Sequence, residues 1–117
     1  MVKVIALLKR RPGMTPQQFQ LRWLGEHVAI SSKLPGLLGY RINIAMQTPL
    51  VNDGGEPLYD GTAEMWWADL DSMEAAFASE IGAVAGADAD KFAAVRVQLC
   101  TDEFVVLPGP MTTATTA

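Results

Sequence analysis

The first patterned stretch, Val2 to Lys9, is almost wholly apolar. Its shortness and the Arg11-Pro12-Gly13 that follows suit a strand buried on both faces, although periodicity alone leaves a buried helix open. Thr15-Pro16-Gln17-Gln18 then reads as a helix start: Thr15 caps, Pro16 takes the first helical position and Gln18 completes a capping box. The pattern predicts a helix from Pro16 to about Lys33, stopped by Pro35-Gly36. Leu37 to Gln47 alternates, with Leu38, Tyr40, Ile42, Ile44 and Met46 on one face. Thr48 to Leu58, rich in Pro, Asn, Asp and Gly, reads as a flexible loop. Tyr59 to Ala68 alternates again and puts Trp66 and Trp67 on opposite faces. Asp71 and Glu74 suggest a capping box for a helix through about Ser79. Gly82 to Ala94 is Ala-rich, with room for one or two short helical turns, and Thr101 to Leu107 reads as a last strand closed by Pro108.

The order is strand, helix, strand, strand, helix, strand. That is the βαββαβ arrangement of a ferredoxin-like α+β domain, a four-stranded antiparallel sheet with the helices on one face. The other face then needs cover. The first strand is apolar on both sides and one tryptophan must point away from the helices, so the expected cover is a second copy, giving a homodimer with facing sheets.

Length and charge narrow the setting. The 117 residues fit one domain, here expected over 1–108 with a loose tail over 109–117. A net charge of −4 argues against nucleic acid as a partner. Lys9, Arg10 and Arg11 at a turn read as a solvated strand edge. One cysteine, Cys100, allows no internal disulfide and fits a cytoplasmic protein. It has no cationic neighbour in sequence and reads as a small buried apolar residue. No stretch reads as a signal peptide or a membrane span.

The chemistry converges on the single histidine. At 100° per residue, Phe19, Trp23, Ile30 and Leu34 form one stripe of the first helix, with His27 at its border, while Leu21, Leu24 and Val28 form a weaker second stripe. An imidazole exchanges protons near neutral pH, and as a general acid or base it needs a partner in hydrogen-bond reach. Candidates are Tyr40, Arg41, Asp60 and Glu64. Asp60 and Glu64 lie about 13 Å apart on one strand face, too far to act as one carboxylate pair. Apolar neighbours around Glu64 would raise its pKa. Each residue also has a purely structural reading: a core-edge histidine, an ion pair of Glu64 with Arg41 or Lys9, a core Tyr40. Trp23, Trp66 and Trp67 suit either core or a pocket for an aromatic ligand. One His and one Cys cannot supply a zinc site, and no phosphate loop, nucleophile elbow or dinucleotide signature occurs.

The stretch LLKRRPGMTPQQFQLRWLGEHVAISSKLPGLLGY resembles the start of EthD-family proteins. YDGTAEMWWADLDSMEAAFAS resembles their second block and TDEFVV their closing strand. The resemblance implies a dimeric α/β barrel over residues 1–108. It also implies metal- and cofactor-free chemistry on small molecules, of the isomerase or lyase kind. His27, Tyr40, Asp60 and Glu64 match the family's helix histidine, the tyrosine after Pro-Gly and the acidic pair. Where some lactone-isomerase-like members carry a cysteine after the glutamate, this chain has Met65. The reading is then an enzyme of catabolism or tailoring acting on an apolar, cyclic or aromatic oxygenated substrate. His27 would shuttle a proton, Glu64 or Asp60 orient it, and Tyr40 bind a carbonyl or enolate oxygen. Trp23, Arg41, Trp66 and Trp67 would hold the substrate. The alternative is a non-catalytic accessory protein that holds a hydrophobic intermediate for a partner oxidase. A cavity beside His27, with a carboxylate or hydroxyl in reach of the ring, favours the enzyme.

Overall fold

The structure is a computed structural model that describes residues 1–46, 48 and 55–113. Four strands, β1 (Val2–Arg10), β2 (Gly39–Ile44), β3 (Gly61–Trp67) and β4 (Ala93–Thr101), form one antiparallel sheet in the order β2-β3-β1-β4. This is the ferredoxin-like α+β architecture. The helices are α1 (Pro16–Arg22), continued through a π-helical turn (Trp23–His27) into α2 (Val28–Ser31), then α3 (Leu70–Ala78) and α4 (Glu80–Ala89). No helix among the described residues is long and apolar enough to cross a membrane.

Local chemistry explains the element ends. The Thr15 hydroxyl accepts from the Gln18 amide at 3.1 Å, and the Thr15 amide donates to the Gln18 side chain at 2.9 Å, so the capping box forms. The second helix starts two residues earlier than Asp71 suggested. Asp69 is its cap, extended at φ −156° and accepting from the Ser72 amide at 2.8 Å. Asp71 instead sits in the first turn, where its negative charge suits the helix dipole. Ser79 ends α3 and caps α4, accepting from the Gly82 amide at 3.1 Å. The Ala-rich segment is thus one full helix rather than one or two turns.

The last strand departs most from expectation. It is Ala93–Thr101, not Thr101 to Leu107. Pairing stops at Thr101 because its partner Lys3 is close to the start of β1. The apolar Phe104, Val105, Val106 and Leu107 lie exposed beyond it. The strand's alternation is Val95, Val97, Leu99 against Arg96, Gln98, Cys100. Neither set is covered in the protomer, so Cys100 is exposed rather than buried. The expected loop Thr48 to Leu58 and the end of the tail lie mostly or partly outside the described residues.

The core lies between sheet and helices. Val4, Ala6 and Leu8 of β1 and Ala63, Met65 and Trp67 of β3 point into it, as alternation requires. Trp67 is fully buried and its indole N–H donates to the Pro35 carbonyl at 3.0 Å. Trp66 lies on the opposite face, among Ile5, Leu7, Val95, Val97 and Leu99 by register.

Candidate functional site

Phe19, Trp23, His27 and Ser31 are all buried on one line of the first helix, at four-residue spacing. In a regular α-helix that spacing drifts by about 40° per step. The π turn at Trp23–His27 widens the helix there and keeps the line facing the sheet. Ile30, assigned to this stripe by regular helical geometry, is only partly buried, and Leu21 is exposed.

His27 is 8% exposed. Its Nδ1 lies 2.9 Å from Oδ2 of Asp88 in α4, and its ring stands edge-on to Phe92 at 5.1 Å between centroids. Asp88 is itself buried and is clamped by both terminal nitrogens of the Arg22 guanidinium, one at 3.1 Å. Arg22 holds the Asp88 carboxyl below its usual pKa, so it is ionised at neutral pH and accepts from Nδ1–H. Burial lowers the His27 pKa, opposed by Asp88 and assisted by Arg22 and Arg96. The imidazole is therefore neutral at pH 7, with its proton on Nδ1. Nε2 has no partner among the described residues, and none of their polar side-chain atoms is buried without a partner, so Nε2 keeps some accessible surface.

His27 lines a cavity of about 220 Å³ between the sheet and the helices. Its walls are mostly apolar: Ala6, Leu8, Trp23, Leu34, Ala63, Met65, Phe77 and the small residues Gly82, Ala85, Gly86 and Ala89 of α4. The polar groups on it are His27, Ser31, Tyr40, Arg96 and Gln98. A dry cavity of about 150 Å³ takes a benzene ring, so this one suits a single substituted ring. The Ser31 hydroxyl donates to the His27 carbonyl at 3.1 Å and lies 2.8 Å from the Tyr40 hydroxyl. With the serine proton so used, Tyr40 is the donor to Ser31. Burial pushes the Tyr40 hydroxyl above its usual pKa and keeps it neutral.

Of the residues singled out in the sequence, the fold brings His27, Tyr40 and Trp23 to this cavity. It does not bring the others. Asp60 accepts from the Arg10 backbone at 2.7 Å and from its guanidinium, and stays bound to that strand end. Glu64 lies on the open face of the sheet, paired with Lys3 and accepting from Asn43 at 2.9 Å. Burial alone would raise its pKa, but Lys3 and Asn43 hold it below the usual range, the reverse of the expected shift. Arg41 stacks on Trp66 on that same open face, and Trp67 packs in the neighbouring core cluster. The group that orients the histidine is Asp88, which sequence reasoning passed over. Its signal was helical: Ala85, Asp88 and Ala89 share one face at three- and four-residue spacing, an acid among small apolar residues.

Residues 11–96 match the family model described as the EthD domain. Among curated proteins none matches. An ethyl tert-butyl ether d (EthD) family protein from Bacillus halodurans is 28% identical with a TM-score of 0.75, over 89% of this chain and 99% of that one. SnoaB from Streptomyces nogalater, a cofactor-independent oxygenase, is 13% identical with a TM-score of 0.67, over 92% and 97%. A dimeric ferredoxin-like protein of unknown function from Thermobifida fusca is 18% identical with a TM-score of 0.65, over 86% and 88%.

Proposed function

We propose, starting from the fact that this chain belongs to the EthD family, that it is a small-molecule enzyme. His27 would act in the helix–sheet cavity as a general base without a resident cofactor. The observation that carries the reading is the Arg22–Asp88–His27 relay. An ionised, clamped carboxylate fixes Nδ1–H and leaves Nε2 as a neutral acceptor on a largely apolar cavity. A histidine kept only for packing has no need of an open, unpaired nitrogen there. The sequence criterion, a carboxylate in reach of the ring and a cavity beside it, favours catalysis over the accessory reading.

In the chemistry proposed, Nε2 removes a proton from a carbon next to a carbonyl of a cyclic or aromatic oxygenated compound. The C–H electron pair moves onto the carbonyl oxygen as an enolate, and the imidazolium returns its proton at another carbon or to a leaving hydroxyl. Isomerisation and dehydration both balance in this scheme, and Asp88 stabilises the imidazolium while it lasts. The likeness to a protein described as a cofactor-independent oxygenase supports chemistry without a bound cofactor. Tyr40, through Ser31, holds the His27 backbone in place instead of addressing the substrate.

The working unit proposed is a homodimer through the open sheet face. Val97 and Leu99 are 37% and 54% exposed there beside Ile5 and Leu7, a patch that water does not favour. The Thermobifida fusca protein of the same fold is dimeric.

The test is a thermal-shift screen of lactones, phenols and hydroxylated aromatic ketones, repeated with His27→Gln. Expected is a ligand that stabilises both proteins and is turned over only by the native one. Turnover retained by His27→Gln would refute the assignment.

A further inference from the structure

We propose that Arg96 and Gln98 of β4 form an oxyanion-binding end of the cavity, so that its substrate carries, or acquires on proton loss, a carboxylate, enolate or phenolate oxygen. This rests on the cavity being the site described above and names the class of molecule it takes.

The case begins with donors. An apolar cavity that generates an enolate must supply hydrogen-bond donors to the new charge, or the charge is left in a medium that solvates it poorly. Ser31 and Tyr40 cannot, because the serine proton is committed to the His27 carbonyl and the tyrosine proton to the Ser31 oxygen. The lining groups that remain are Arg96 and Gln98. They are two residues apart on one strand, opposite Leu8 and Ala6 of β1, so both point to the helix side of the sheet. Arg96 spends one nitrogen on Asp90 at 2.9 Å, and its other guanidinium nitrogens have no partner among the described residues. Gln98 likewise has none.

Position and charge agree with this. Arg96 and Gln98 border both the inner cavity and a shallower hollow beside Asp90, Ala93 and Ala94, which places them at the threshold between the two. The guanidinium is near enough to His27 to help depress its pKa. An oxyanion held there would share the cavity with the His27 imidazole. A forked guanidinium suits a carboxylate or a delocalised enolate better than a neutral ester.

Benzoate and methyl benzoate, one ring each, separate charge from shape. Their dissociation constants are read from the quenching of tryptophan fluorescence, since Trp23 lines the cavity. Expected for the native protein is benzoate binding about tenfold or more tighter than the ester, as charged hydrogen bonds allow. Arg96→Met should abolish the preference, with an unchanged far-ultraviolet circular dichroism spectrum and a cooperative melt showing that the variant is folded. Asp90→Asn, which frees the guanidinium but keeps it, should retain or raise the preference. Ester binding with no benzoate preference, or a preference that survives Arg96→Met, overturns the proposal and leaves the cavity reading standing. Failure of both probes to bind the native protein overturns both.

Discussion

Asp88→Asn removes one charge and almost no volume, so its consequences can be worked from three hydrogen bonds. Asp88 accepts two bonds from Arg22 and one from His27 Nδ1, and all three are charge-assisted. Bonds to a charged group contribute about 1.5–3 kcal/mol and neutral ones about 0.5–1.5. Asparagine offers one accepting oxygen in place of two, so at least one of the three bonds is lost and Arg22 is left without its counter-charge, a cost of about 3 kcal/mol, at the lower end of the about 3–5 for stranding one partner of a buried pair. The lower end is appropriate because Arg22 keeps 18% of its side-chain surface in water. For a chain of this size that is a fall in Tm of about 12 °C. The functional effect is separate. Losing Asp88 removes the influence that raises the His27 pKa, so it falls further, and an amide can either accept from or donate to Nδ1, so the tautomer is no longer fixed. Calorimetry at pH 7.5 reads the first effect, and ¹⁵N chemical shifts of the imidazole read the second. A Tm within about 3 °C of native, below the roughly 4 °C that even 1 kcal/mol would produce, together with a single unchanged tautomer, would refute the relay.

Acid should destabilise the fold through His27. Its folded pKa lies below the unfolded value of 6.5, so the stability it contributes is full above pH 6.5 and is lost as pH falls through the folded pKa. Melting curves from pH 7.5 to 5 should show His27→Gln gaining on the native protein below pH 6.5, and parallel curves would contradict this. Gly61→Ala should cost about 1–3 kcal/mol by overpacking, because a Cβ there would stand 2.5 Å from the Asn43 carbonyl and 2.7 Å from the Trp23 ring. Urea unfolding measures it, and a neutral result would mean that both the Trp23 ring and the β2 backbone give way. Val97→Glu places a charge in the open sheet face and should give a folded monomer by sedimentation velocity. A persistent dimer would move the interface elsewhere.

Much of the fold was legible because its signals are local. The capping box at Thr15, the Pro35-Gly36 stop and the alternation of β2 and β3 each depend on neighbours in sequence, and each holds. The last strand was misplaced for an equally physical reason. Strand length is set by the partner, and β1 starts pairing at Lys3, which no local pattern records. The tempting apolar run Phe104 to Leu107 has no strand to lie beside.

The candidate site divides the same way. The sequence determined His27, because a lone titratable side chain beside a buried helical stripe is visible in periodicity, and it placed Tyr40 on the matching strand face. Only the tertiary structure decided what His27 meets. Asp60 and Glu64 looked like its partners because they share a strand, yet Glu64 lies on the far side of the sheet and Asp60 is held by Arg10. Asp88 lies 61 residues away in sequence and meets the imidazole because α4 packs beside the π turn. Sequence fixes which face of its own element a side chain occupies. Which two faces meet is set by how the helices settle on the sheet, and there the acid that orients the histidine was chosen.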